Sequence, residues 1–374
     1  MSNQLLYYSR IPLLTAPQSI TEQIPGYDNF LKVAKFFTPS VGIIDRTGTI
    51  TVPFKCQITN PIPEFNPNFN MSYKDCVMQR MQELDAVHQS TGKTFRVLYS
   101  GGIDSTGMLA AFIEYYGLDR ASQLLEISCS TESIDENPWA WDRYIKVGNF
   151  KLTTSHNHGN AWNDDKILIM GEINDHLFGG LGSGRWSQYC IEHGTDLYMP
   201  LSVERLVRFF LWNNTNQSKA DAYYCAIRLK QLADAAPIPI TNMHLFQWWY
   251  NFVLGWEACL YRIMNQANYV FPKDTLTTRF HQFFNTPELQ QWALNFHYKN
   301  PDRFAESKYY KKDCKDMILD ILDIPEYATK NKYGSFPRVH SLRPIGSVID
   351  TDLHKYTDVS DFLKFIEPTN SFVK

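Results

Sequence analysis

The segment Val97-Leu98-Tyr99-Ser100-Gly101-Gly102-Ile103-Asp104-Ser105-Thr106 constrains this chain more than any other, because it reads as a buried strand, a glycine turn and the first turn of a helix. Gly101 and Gly102 permit dihedrals and close approaches that a β-carbon forbids. Ser100, Ser105 and Thr106 set hydroxyls beside the amides of a helix N-terminus, an arrangement suited to an oxyanion. Asp104 would repel such a ligand unless a cation lay between them, so the carboxylate points to a magnesium ion. The helix after the turn is supported by Met108, Leu109, Phe112, Ile113 and Tyr116 at helical spacing. No glycine followed after four residues by Gly-Lys-Ser/Thr occurs, which excludes a Walker-type phosphate loop.

Other stretches place this segment within an α/β pattern. Tyr73, Val77, Met81, Leu84 and Val87 predict a helix over 72–90 leading into the strand. A second strand is expected at 124–129, a helix at 135–148 and a third strand at Ile167-Leu168-Ile169-Met170. Strands alternating with helices predict a parallel sheet with crossover helices and a ligand at the carboxyl ends of the strands. From about residue 200 the pattern is mostly helical, and the apolar window 246–261, interrupted by Gln247, Asn251 and Glu257, predicts a buried amphipathic helix.

Residues 1–70 read as a small, separate β-containing region, with a hairpin over 41–52 turning at Arg46-Thr47-Gly48 and a proline-rich linker over 60–67. Residues 71–374 form the main domain. The third strand runs into Gly171-Glu172-Ile173-Asn174-Asp175-His176-Leu177-Phe178-Gly179-Gly180, a second acid-bearing turn that would face the same crevice as the first.

Ser-Gly-Gly-Ile-Asp-Ser resembles the pyrophosphate loop, or PP-loop, of the N-type ATP pyrophosphatases. Together with Gly-Glu-x-x-Asp-x-Leu-Phe-Gly-Gly it resembles the synthetase domain of asparagine synthetases and their relatives, the β-lactam synthetases and lasso-peptide cyclases. The resemblance covers about residues 72–340 and is specific at these two motifs. It implies a PP-loop, adenine nucleotide α-hydrolase-like fold and an ATP-dependent carbon-nitrogen ligase, which adenylates a substrate carboxylate, releases pyrophosphate and passes the acyl group to ammonia or an amine. On that resemblance Ser100, Gly101, Gly102, Asp104, Ser105 and Thr106 bind ATP. Asp104 and Asp175 hold magnesium, and Glu172 lies beside the reacting acyl group. Thr329-Lys330-Asn331-Lys332-Tyr333-Gly334-Ser335-Phe336 resembles the family's late lysine segment, with Lys332 as the catalytic match and Lys330 in reserve. The second motif departs from the usual Gly-Glu-Gly-Ser-Asp-Glu at Ile173, Asn174 and His176, which leaves the substrate open.

Position 2 is Ser2 where the glutamine-dependent members carry a cysteine nucleophile, so no glutaminase is expected, and a separate protein could supply the ammonia or amine. With 36 basic and 39 acidic residues the chain has a net charge of −3, and nucleic acid is not an expected partner. No apolar stretch approaches a membrane span and no secretory signal is evident, so a cytoplasmic enzyme is expected. Seven cysteines without a Cys-x-x-Cys pair fit reduced thiols and not a zinc site. That also counts against the alternative of a nucleobase- or RNA-modifying PP-loop enzyme. A further alternative is a non-catalytic nucleotide-binding module. His156 and His158 lack a third ligand in sequence and read as a solvated loop.

Overall fold

The computed structural model describes residues 4–9, 18–23, 25–36, 45–50, 58–154, 165–179, 189, 192–194, 198–213, 218–260, 270–272, 274, 278–301, 311–328 and 346–349. Among them the strands are β1 (Gln4–Ser9), β2 (Phe95–Leu98), β3 (Leu125–Cys129), β4 (Lys151–Thr154), β5 (Ile167–Met170), β6 (Val270–Pro272), β7 (Phe280–Gln282) and β8 (Gly346–Ile349).

Five of these strands form one sheet in the order β4-β3-β2-β5-β7, and every neighbouring pair is parallel. The chain is therefore mixed α/β with a parallel sheet, as its strand-helix alternation predicts. Parallel strands are covered by crossover helices on both faces, which is why β3 and β5 are buried at every position. Each fully buried Leu or Ile there contributes roughly 1.5–3 kcal/mol. Chain order runs outward from β2 through β3 to β4, then jumps back to the other side of β2 at β5. The neighbours β2 and β5 thus flank the point where the winding reverses, the crevice where ligands bind in open α/β sheets.

The helix Tyr73–Thr91 is framed by a Ser72/Asp75 capping box and by Gly92 in the left-handed region. It lies one residue from the expected position and buries Tyr73, Val77, Met81 and Leu84. The loop helix, Ile103–Tyr116, buries Met108, Leu109 and Phe112. The helix expected over 135–148 is instead broken into Thr131–Glu136, Pro138–Ala140 and a wide turn at Trp141–Ile145. Pro138 explains the break: it lacks an N–H and disfavours helical dihedrals at Asn137, which sits at φ −142°.

Two strands of the parallel sheet, both at its edges, escaped the sequence pattern. β4 is a short edge strand carrying Lys151, Thr153 and Thr154, and β7 is a short edge strand just before a helix. That helix begins at Pro287, capped by Thr286, whose Oγ1 accepts from the Leu289 amide at 3.1 Å. The Phe283–Phe284 pair is fully buried, with ring centroids 4.9 Å apart.

The apolar window 246–261 forms Met243–Tyr250, a wide turn at Asn251–Gly255 and Trp256–Leu260. It is not amphipathic: Gln247, Asn251 and Glu257 are at most 2 % exposed. Asn251 Nδ2 donates to the Gln247 carbonyl at 3.1 Å, while Gln247 Nε2 and Asn251 Oδ1 are buried without a hydrogen-bond partner among the described residues. Glu257 accepts from the amides of Thr59 (3.1 Å) and Asn60 (2.9 Å) and from the Thr59 hydroxyl (3.0 Å).

The N-terminal residues are docked on this helical half. Arg46 donates to the carbonyls of Asn60 and Phe252, both at 2.9 Å, and to the Gln290 side chain, with its guanidinium over the Phe252 and Trp256 rings. β1 pairs antiparallel with β6 and β8 in a second sheet. Of the expected 41–52 hairpin, residues 45–50 are described. They form a turn in which Asp45 accepts from the Thr47 and Ile50 amides and Gly48 has φ +71°.

Candidate active site

The site is built where β2 and β5 end. After β2, the Tyr99 amide extends the ladder to Ser128 (2.8 Å), and the chain then turns at Gly101, with φ +74°. A β-carbon on Gly101 would lie 2.2 Å from the Ser133 carbonyl oxygen, so packing as well as dihedral requires glycine there. Gly102 is different. Its φ is −71°, and an added β-carbon would meet only Ser100 Oγ, at 3.3 Å. It is the N-cap of the loop helix and supplies no side-chain cap, which leaves the first-turn amides to an incoming acceptor.

The hydroxyls expected to contact phosphate shape this turn. Ser105 Oγ donates to the Gly102 carbonyl at 3.1 Å and accepts from the Ser100 amide at 3.1 Å, while Ser100 Oγ accepts from the Gly102 amide at 3.3 Å. The Thr106 side chain turns away from the crevice: it is fully buried, and its hydroxyl donates to the Gly101 carbonyl and accepts from Asn137 Nδ2. The first helical turn carries it inward, so it braces the loop from behind. The Tyr327 hydroxyl donates to the same Gly101 carbonyl at 3.1 Å.

The second loop leaves β5 at Gly171, where a β-carbon would stand 3.3 Å from Asp104 Cβ. The two strand-end loops are therefore in contact. Glu172, partly exposed, has its amide bonded to Gln282 Oε1 on β7 at 3.2 Å. Asp175 lies in the short helix Asn174–Phe178, which ends at Gly179 in the left-handed region. All three departures from the family pattern turn inward. Ile173 is fully buried, and His176 is bonded through Nδ1 to the Asn251 carbonyl at 3.0 Å. Gly255 makes room for that ring, since a β-carbon there would stand 2.7 Å from His176 Cε1. Asn174 accepts from the Tyr73 hydroxyl and donates to Asp104 Oδ1, both at 2.8 Å.

Asp104 and Asp175 converge on one cation belonging to the chain. Lys311 Nζ is 2.6 Å from both oxygens of Asp104 and 2.6 Å from Asp175 Oδ1. The lysine side chain is 5 % exposed, whereas the aspartates keep 23 % and 24 % of their side-chain surface, enough for a ligand to reach them. Burial pushes the Asp104 carboxyl above its ordinary value, with the Asp175 carboxylate adding to the rise and the Lys311 ammonium opposing it. Counting formal charges, two carboxylates and one ammonium leave −1, a balance that repels a nucleotide arriving alone.

Among the described residues no group of three or more His, Cys, Asp or Glu side chains could hold a metal. Two carboxylates beside a helix N-terminus do fit magnesium, which commonly takes one or two carboxylates and completes its shell with substrate phosphates and water. The donor set therefore suits a magnesium ion delivered with a nucleotide.

Lys311 escaped sequence reasoning. It precedes the helix Lys312–Leu322 and has φ +53°. Its one sequence signal is a Lys-Lys pair at a helix start, where the dipole disfavours positive charge. Lys330 and Lys332, like His156 and His158, lie outside the described residues. Comparison of the chain with protein-family models, with curated proteins and with solved structures finds no match.

Proposed function

We propose that this chain is an ATP-dependent ligase of the PP-loop type that activates a small-molecule carboxylate as its adenylate and joins it to ammonia or an amine. The observation carrying this reading is the convergence of Asp104 and Asp175 at the reversal point of the parallel sheet, beside the uncapped N-terminus of the loop helix.

In this reading a substrate carboxylate oxygen attacks the α-phosphorus and the bond to the β-phosphate oxygen breaks. Asp104 and Asp175 would hold magnesium, which would supply neutralising charge for the phosphates. The first-turn amides after Gly102 face the charge that develops on the leaving pyrophosphate. The amine nitrogen then attacks the acyl carbon, the bond to AMP breaks, and Glu172 takes the proton that nitrogen loses. Lys332, or Lys330, is assigned to balance charge on the adenylate by resemblance alone.

A second reading, a nucleotide-binding module without turnover, draws support from Lys311, whose ammonium already neutralises part of the acidic pair. The two readings part on turnover by the unmodified chain, which the module lacks, and Asp104→Ala and Asp175→Ala test the site they share. For the ligase, each variant should fold, lose magnesium-dependent ATP binding and lose at least about a hundredfold in turnover. The paired change should cost little more than either alone, since the two acids serve one ion. Near-normal ATP binding in both variants would remove the basis of the assignment.

A further inference from the structure

Lys311 is placed against several preferences at once. Its backbone is in the left-handed region, uncommon for a residue with a β-carbon, and it supplies positive charge at a helix N-terminus. Its ammonium is buried. The helix it starts is fixed to the loop helix: Cys314 Sγ lies 3.9 Å from the Ile103 carbonyl, and a β-carbon on Gly107 would meet Cys314 Sγ at 3.0 Å. The stem of Lys311 is thus anchored beside the phosphate turn, while its head ends on the carboxylates assigned to magnesium.

We propose that Lys311 is the resident counterion of this magnesium position and that it transfers to the polyphosphate of a nucleoside triphosphate when metal and nucleotide enter together. The proposal rests on the ATP reading above. An ammonium and a divalent ion cannot both occupy the position between the two carboxylates at bonding distance, so a metal that bridges Asp104 and Asp175 displaces the ammonium. Metal alone gives the ammonium no new partner and takes the cluster from −1 to +1. Metal with a triphosphate supplies anionic oxygens within reach of a flexible four-carbon stem that carries its charge as a compact point. Lys311 thereby makes metal retention conditional on nucleotide and becomes a contact to the substrate phosphates.

Manganese binding, followed by electron paramagnetic resonance on the full chain with and without ATP, tests this. The unmodified protein should hold manganese weakly alone and at least about tenfold more tightly with ATP. Lys311→Met, with the carboxylates unshielded, should bind manganese alone at least about tenfold more tightly than the unmodified protein and bind manganese-ATP more weakly. Lys311→Arg should keep the exclusion of free metal. If Lys311→Met does not fold by itself, manganese should restore its thermal transition while leaving that of the unmodified protein unmoved, and failure of that rescue overturns the proposal. Nucleotide-free manganese binding that is equal in Lys311→Met and the unmodified protein also overturns it, even where ATP binds. Gain of metal binding in Lys311→Met with no ATP binding by any form would instead leave the counterion standing, and would overturn both the transfer to phosphate and the nucleotide reading.

Discussion

The side-chain amide of Asn174 donates to Asp104 Oδ1 at 2.8 Å, which ties the loop after β5 to the loop after β2. Asn174 is itself oriented by the Tyr73 hydroxyl, so a residue in a third element fixes the amide and thereby the carboxylate. All of Asn174 is buried, and each of its bonds is of the kind whose loss leaves an unsatisfied partner behind. Asn174→Ala should cost about 1–3 kcal/mol in urea unfolding and lower magnesium-ATP affinity, and Tyr73→Phe about 1 kcal/mol. In a double-mutant cycle the two changes should be clearly non-additive, because both act through one amide. Additive losses would mean that the three residues do not work as a chain.

Gly101 and Gly102 should separate fold from ligand. Gly101→Ala meets the Ser133 carbonyl at 2.2 Å in a left-handed backbone, and the variant should lose at least about 3 kcal/mol or fail to fold. Gly102→Ala meets only a hydroxyl at 3.3 Å, so its thermal transition should stay close to that of the unmodified protein. Its ATP affinity should nevertheless fall, because the new methyl occupies the approach to the helix amides. Unchanged ATP binding in a folded Gly102→Ala would place the phosphates elsewhere.

The first strand, turn and helix are legible in sequence because one continuous segment carries them: the buried residues, the obligatory glycine and the acid are neighbours. The second acid is legible for the same reason. Lys311 is not, because it reaches the site from a helix more than 130 residues beyond Asp175, and its one local signal, a lysine pair at a helix start, does not identify the acids it meets. The inward course of Thr106 depends on Asn137, in a different element. β4 and β7 are three or four residues long with little alternation, and they are strands because the sheet edges complete their hydrogen bonds. Glu257 suggests an exposed face only when Thr59 and Asn60, its buried partners from a distant segment, are unknown.

Arg46 should prove a structural residue. Its guanidinium bridges Asn60, Phe252 and Gln290 between two aromatic faces, and its loss would leave Glu257 buried without its nearby positive charge. Arg46→Met should destabilise the chain by about 3–5 kcal/mol in urea unfolding. Arg46→Lys should recover little of this, since an ammonium cannot reproduce the planar fork. Full stability in Arg46→Lys would show that charge alone suffices.

Two buried groups should give opposed pH dependences. Burial, with the Arg80 guanidinium adding to it, pushes the His281 imidazole down to about 3, so the unfolded chain binds the extra proton between pH 3 and 6.5 and stability is lost as pH falls through that window. Burial raises the Glu257 carboxyl to about 7 against the opposing Arg46 charge and hydrogen bonds. The folded chain therefore keeps a proton that the unfolded chain loses, and this contribution, present below about 4.5, is lost as pH rises to 7. Each slope is at most about 1.4 kcal/mol per pH unit. Urea midpoints at pH 5 and 7 should show His281→Gln losing less stability on acidification than the unmodified chain, and Glu257→Gln losing more. The reverse order would contradict the assigned directions.

In the proposed reaction Asp104 and Asp175 serve cleavage of ATP between its α and β phosphates. Phosphorus NMR of the purified chain with magnesium-ATP, a pool of small carboxylates and hydroxylamine as the nucleophile reads the products directly. AMP and pyrophosphate should form in equal amounts, and neither should form with Asp104→Ala or with Asp175→Ala. Formation of ADP and phosphate, or of AMP undiminished in either variant, would contradict it.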